Sequence, residues 1–179
     1  MRVAHDQSLP HLWLLSDARN DAGLEGALEA LPRRSGFVFR HYHLSEANRY
    51  ERYQSVNAIA RSCGHLVILS GPQALAKKWG ADGIYGTAEQ LAASDGLLCI
   101  ATAHNGYEIE AANAAGADAI MLSPVFPTRS HPGAAILGPF GFSVLAQQAN
   151  KPVIALGGMT KNRAAEFGIR RWAAIDGLS

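Results

Sequence analysis

Gly80-Ala81-Asp82-Gly83-Ile84-Tyr85 returns 36 residues later as Gly116-Ala117-Asp118-Ala119-Ile120-Met121. Each copy follows a helical pattern, turns on a glycine and enters an apolar run three residues on. Glycine accepts the left-handed conformation that ends a helix, and a short, wholly apolar run suits a strand covered on both faces. Gly168-Ile169-Arg170-Arg171-Trp172-Ala173 is a degenerate third copy. Helix, glycine turn and buried strand in succession are the pattern of stacked βα units.

Outward from the repeat, eight apolar runs read as strands, at 12–15, 37–40, 66–69, 83–85, 97–101, 119–122, 153–156 and 172–175. The segments between them read as helices. Over 45–63, Tyr50, Tyr53, Val56, Ala60 and Cys63 recur every three or four residues and predict one buried stripe, with Ser45 as N-cap and Gly64 just past the end. Further helices are predicted at 106–115, 141–149 and 160–167, the last capped by Thr160.

Eight such units in right-handed succession close as a small α/β (β/α)8 TIM barrel, a single domain over 1–179. An open doubly wound sheet is the alternative, but no Gly-x-Gly-x-x-Gly fingerprint follows the first strand. Only 176–179 follow the eighth strand, so the last helix is expected to be missing. The N-terminal ten residues or a second subunit would then cover that strip of wall, and a homodimer is expected.

Apolar residues make up 48% of the chain and charged residues 17%, which fits a soluble globular domain. A net charge of +1 supplies no field directed at nucleic acid or a membrane surface. Cys63 and Cys99 lack any CxxC spacing and lie in apolar surroundings, so they read as buried thiols rather than a disulfide or metal site. The N-terminal apolar run is too short for a signal peptide and no window approaches a membrane span, so a cytoplasmic location is expected.

Barrels of this kind build their sites at the C-terminal ends of the strands. That rule picks out Ser16 and Asp17, then Arg40, His41 and His43, then Ser70, and Thr102, His104 and Asn105. It continues through Ser123 to Gly157, Gly158 and Thr160, and ends at Asp176. The segment after Leu122 is the most informative. It carries Pro124, Pro127, Pro132 and Pro139 with Thr128, Arg129, Ser130 and His131 between them. Prolines exclude helix and central strand, while hydroxyls and positive charge without a carboxylate suit an oxyanion.

Gly157 and Gly158 let backbone N–H groups approach a phosphate with a helix start behind them. The alternative for the pair is a tight turn that needs positive φ. Arg40 needs a partner after its apolar strand, either an anionic ligand or Asp17. His104 reads equally as a substrate-positioning or proton-moving group and as a structural histidine. His41 and His43 are too few for a metal site.

At these residues the chain resembles the thiamine phosphate synthase family, which includes a thiazole tautomerase branch. GADAIMLSPVFPTRSHPGA and PVIALGGM carry the resemblance, supported by HLWLLSD and IATAHN. It implies a (β/α)8 barrel that joins hydroxymethylpyrimidine diphosphate to a thiazole phosphate, with diphosphate released and Mg²⁺ assisting. Thr128, Ser130 and His131 would lie in the diphosphate loop, with His131 where the family usually has lysine. Gly157 and Gly158 would hold the thiazole phosphate. Arg40 matches the arginine after strand two and Thr102 a hydroxyl after strand five.

The resemblance also implies two metal-binding acids. Leu69-Ser70 stands at the first, and only Glu89 is acidic near the second, so the Mg²⁺ ligands are missing. Val38 and Tyr42 replace a glutamine and a lysine around Arg40, and Asp176 replaces a phosphate-contacting serine. Pro124 stands where the tautomerase branch has histidine. Besides the synthase, the alternative readings are a tautomerase-like isomerase acting on a thiazole phosphate and a barrel that binds a phosphorylated thiamine precursor without catalysis.

Overall fold

Eight parallel strands close on themselves in the computed structural model, in sequential order from β1 to β8 and back to β1. The structure describes residues 9–91, 96–130, 132–133 and 135–178. The strands are β1 (Leu12–Leu15), β2 (Gly36–Phe39), β3 (Leu66–Ser70), β4 (Gly83–Gly86), β5 (Leu98–Ala103), β6 (Ala119–Leu122), β7 (Val153–Ala155) and β8 (Trp172–Ala174). Between them run α1 (Leu24–Ala30), α2 (Glu46–Ser62), α3 (Gln73–Trp79), α4 (Ala88–Leu91), α5 (Gly106–Ala114), α6 (Gly138–Ala146) and α7 (Lys161–Glu166).

Alternation along each strand sorts the side chains into two cores. Trp13, Leu15, Val38, Ile68, Tyr85, Ile100, Met121 and Ile154 fill the barrel interior. Leu14, Phe37, Phe39, Val67, Leu69, Ile120 and Leu122 face outward and pack beneath the helices. Both faces are covered, so the runs are apolar throughout. Glycine makes room for the largest interior side chain, since a Cβ on Gly36 would lie 2.0 Å from the Trp13 indole across the β1–β2 register.

The repeated Gly-Ala-Asp has a physical explanation. Gly80 and Gly116 take φ of +71° and +69° and end their helices, as Gly168 does at +64°. The aspartate then clamps the preceding strand. Asp82 N–H donates to Val67 O (2.8 Å) and its carboxylate accepts from Val67 N–H (2.7 Å). Asp118 does the same to Cys99, at 2.8 and 2.9 Å. Each carboxylate thus extends the ladder where the backbone of the next strand has not yet begun.

Several expectations are corrected. β2 ends at Phe39, which leaves Arg40 outside the ladder, and β5 runs on to Ala103. α6 begins three residues earlier than expected, with Pro139 in its first turn. Tyr53, Val56 and Ala60 form the buried stripe of α2, but Tyr50 is 39% exposed, with its ring 5.2 Å from that of Trp79. Cys99 is buried and Cys63 half-buried, and neither is in a disulfide.

After β8, a single 3-10 turn (Asp176–Leu178) places Leu178 against the cluster that holds Trp172 and Ala174. Leu9 does not cover the outer wall. It packs into the interior cluster with Trp13, whose indole N–H donates to Pro10 O at 2.9 Å. The rest of the N-terminal segment assigned that covering role, 1–8, lies outside the described residues. Among the described residues, no helix is long and apolar enough to cross a membrane.

Asp118→Ala strands the Cys99 N–H at the start of β5. The expected loss is about 1–3 kcal/mol of unfolding free energy, measured by urea denaturation, with Asp82→Ala giving a similar loss.

Candidate phosphate-binding site

A cavity of about 320 Å³ opens at the C-terminal ends of the strands. Two loops build most of it, one after β6 and one after β7. Strand pairing continues into them: Leu156 N–H donates to Leu122 O (3.0 Å), Val125 N–H to Leu156 O (2.9 Å) and Phe126 N–H to Gly157 O (3.0 Å). This approach requires the two glycines. Their φ angles are +96° and +60°. A Cβ at Gly157 would sit 2.7 Å from Pro124 Cα, and one at Gly158 would sit 2.5 Å from Pro127 O. The tight-turn explanation of the pair therefore holds. Phosphate binding is compatible with it, because the N–H groups of Gly157 and Gly158 donate to no other described residue.

The proline loop is tied down at its polar end. Ser130 N–H donates to Thr128 Oγ1 at 3.3 Å, and the Ser130 hydroxyl accepts from Arg19 at 2.8 Å. Arg19 also pairs with Asp17 (2.9 Å) and Asp176 (3.4 Å). Arg163 donates to Gly158 O and lies over the Phe126 ring at 4.7 Å, which joins α7 to both loops. Arg129 lines the cavity and has no partner among the described residues.

Arg40 reaches the same cavity, with its Nε donating to Ser16 O (3.0 Å) and a terminal nitrogen to Asp17 (2.8 Å). Burial pushes the Asp17 carboxyl up, but the hydrogen bonds and charge of Arg19, with the charge of Arg40, hold it below the usual range. Three guanidiniums, from Arg40, Arg129 and Arg163, line the cavity with one carboxylate, Asp176, and the Arg19–Asp17 pair lies beside it, bonded to Asp176 and Arg40. The rim keeps a positive excess suited to an anion.

The structure brings Arg40, Thr128, Arg129, Ser130, Gly157 and Gly158 onto one wall. Thr102 and His104 are not on it. The Thr102 hydroxyl donates to Gly86 O at 3.5 Å. His104 is 52% exposed and its Nδ1 lies 2.8 Å from Glu108, in the first turn of α5. Its place past the strand end directs it to the helix start instead. His131 lies outside the described residues.

Sequence reasoning missed Arg19, Arg163 and Tyr85. Tyr85 was the most accessible of these, because it alternates inward with Gly83. Burial pushes its phenol up to about 12, partly opposed by Arg40. For Arg19 and Arg163 only their places near strand ends gave a signal.

The model of the family described as thiamine monophosphate synthase matches residues 14–178. The chain belongs to that family. A thiamine-phosphate synthase from Azoarcus is 28% identical over 86% of this chain and 80% of its own length. A putative thiamine-phosphate synthase 2 from Aquifex aeolicus is 28% identical over 85% of this chain and 87% of its own. Among solved structures, thiamine phosphate pyrophosphorylase from Pyrococcus furiosus superposes with a TM-score of 0.79 at 22% identity, over 96% of this chain and 87% of that one. FabK from Thermotoga maritima reaches 0.75 at 12% identity, over 99% and 62%. These structural likenesses show the barrel, and the family match adds the biosynthetic class.

The family implies Mg²⁺, and the residues present do not fit it. A hard divalent cation needs several oxygen ligands, usually including carboxylates. At the first expected metal position the Ser70 hydroxyl contacts the Tyr42 hydroxyl and donates to Tyr85 O at 3.4 Å. A fixed cation already occupies this corner. Arg49 donates to Ser70 O (2.6 Å) and Arg40 O (2.7 Å), with its guanidinium among the rings of Phe39, Tyr42 and Trp79. Glu89 is exposed on α4, and no cluster of three acidic, histidine or cysteine groups occurs among the described residues.

Gly158→Ala forces the β7 loop away from Pro127 and from its left-handed conformation. The expected cost is about 1–3 kcal/mol, read as a lowered Tm. The Asp17 pairs give a pH signature as well. With the folded carboxyl held below its ordinary range, their contribution is present at neutral pH and lost as pH falls through the folded value. The Tm gap between the wild type and Asp17→Asn should close at strongly acidic pH.

Proposed function

We propose that this chain is a transferase of the thiamine phosphate synthase type, acting on hydroxymethylpyrimidine diphosphate and a thiazole phosphate in the cytoplasm. The observation that carries the reading is the convergence of the proline loop and the glycine pair on one arginine-rimmed cavity, in a chain matched by the family across residues 14–178. In that reaction the bond from the pyrimidine methylene to the diphosphate breaks, the thiazole nitrogen takes its place, and diphosphate leaves.

Such a loose transition state asks the protein mainly to stabilise the departing charge and exclude water. Arg129 and Arg40, with Thr128, Ser130 and His131, meet the diphosphate. The N–H groups of Gly157 and Gly158 take the thiazole phosphate. Thr102 and His104 would act from the β5 side of the mouth once substrate extends across it. A homodimer belongs to the same proposal. α6 carries no charged residue and leaves Phe140 83% exposed, an apolar face suited to a second copy.

The unsuitable metal corner favours one alternative, a barrel that binds a phosphorylated thiamine precursor without turnover. The tautomerase-like reading gains no comparable support, with Pro124 in place of that branch's histidine. Incubation with both substrates, with and without Mg²⁺, followed by chromatography for thiamine phosphate, separates the readings. Product is expected, with release of diphosphate. Binding of the thiazole phosphate with no product at any Mg²⁺ concentration would leave the binding-only reading. Arg129→Ala is expected to weaken pyrophosphate binding about tenfold, checked by calorimetry, with little change in Tm.

A further inference from the structure

Beside the cavity lies a buried polar chain to which the proposed reaction assigns no role. His41 is 1% exposed, sits at φ +44° and stacks on Phe39 with ring centroids 4.7 Å apart. Its Nδ1 lies 2.8 Å from Ser16 Oγ and its Nε2 lies 2.7 Å from Asp21 Oδ1. Positive φ is uncommon outside glycine, and surrounding contacts must hold it.

The donor and acceptor inventory gives the chain a direction. Burial pushes the Asp21 carboxyl up, but hydrogen bonds from His41 and Arg52 hold it below its ordinary range, so it only accepts. His41 Nε2 therefore carries the proton. Burial pushes His41 down despite Asp21, so the ring is neutral and Nδ1 accepts. The Ser16 hydroxyl donates to Nδ1 and accepts from Arg40 N–H at 2.8 Å. Ser16 O then accepts from Arg40 Nε at 3.0 Å. Ser16 thus grips Arg40 at two points, and His41 fixes Ser16. The ring is not a nucleophile's base, because the Ser16 side chain is sealed away from the cavity.

We propose that His41 is a positioning residue, holding Arg40 toward the cavity through Ser16, so that the affinity of the mouth for an anion depends on a buried imidazole that touches no ligand. The link to an anion rests on the phosphate-site reading, whereas the chain itself does not. The groups around the ring are Asp21, His43 (rings 5.2 Å apart) and Arg52, which also bonds Glu25. Protonation places a hydrogen on Nδ1 and removes the acceptor for Ser16. The chain in this direction is therefore intact at neutral pH; as pH falls through the depressed His41 value, below 6.5, Nδ1–H donates to Ser16 Oγ instead and the Ser16 hydroxyl proton is left without its acceptor.

Three variants test this. Asn at 41 tolerates positive φ and its Oδ1 can replace Nδ1 toward Ser16. Gln can reach Asp21 but not Ser16, and Phe keeps only the stack. Calorimetry with inorganic pyrophosphate should show His41→Asn within about twofold of wild type and His41→Gln and His41→Phe about tenfold weaker. Sulfate, whose charge is constant over this range, should lose affinity in acid in the wild type but less in His41→Asn. Equal affinities across folded variants that differ only in Tm would overturn the proposal.

Failure of wild type to bind pyrophosphate would sink the phosphate-site reading. In that case ¹⁵N NMR decides the relay separately. His41 should be the neutral Nε2–H tautomer, and the Arg40 Nε–H signal should move in His41→Gln but not in His41→Asn. A protonated Nδ1 at neutral pH, or an unmoved Arg40 signal, overturns the relay.

Discussion

Closure of the parallel ladder between β8 and β1 is the constraint from which the rest follows. Leu12, Trp13 and Leu14 stand in register with Trp172, Ala173 and Ala174, so the sheet presents no open edge. A closed ring of short strands must fill its own interior. Trp13 does so only because Gly36 has no side chain where the indole lies. The interior packing holds the strand ends in fixed relation, and the mouth inherits that rigidity.

The mouth extends the same ladder by other means. Hydrogen bonds pass from β6 and β7 into their loops until backbone meets backbone at Gly157 and Gly158. The Gly157 and Gly158 N–H groups and the loop–loop contact are therefore one construction. Around it the charges are shared out: Arg19 and Arg40 are held by Asp17, Arg163 by a carbonyl and a ring, while Arg129 stands without a partner among the described residues. Asp176, which by itself would repel phosphate, is paired with Arg19. The metal corner departs further from what the family resemblance implies, with the Arg49 guanidinium, the Tyr42 phenol and the Ser70 hydroxyl where carboxylates would be expected.

Some of this was legible in the chain and some was not. The repeat at Gly80 and Gly116 exposed the βα period because backbone chemistry is local: a left-handed glycine ends a helix within a residue or two wherever it stands. The aspartate in the same repeat was visible but mute, since its partner N–H lies 15 residues back at Val67 or 19 back at Cys99. Gly157 and Thr128 were placed together correctly because both follow adjacent strands. His104 followed the same rule yet turned to Glu108, because a side chain past the strand end takes the nearest partner.

By itself the sequence determined the order of strands and helices, their glycine and serine or threonine boundaries, and the family. Those depend on periodicity and local conformation, which a linear chain displays. Only the tertiary structure decided what faces what: that Tyr42 and Arg49 close over Ser70, that Arg19 bridges Asp17, Asp176 and Ser130, and that His41 lies sealed between Ser16 and Asp21. Apart from Arg19 and Asp17, two residues apart, such partners meet across tens of residues, through the curvature of the closed barrel and the lengths of its loops. Side-chain chemistry alone specifies none of those meetings.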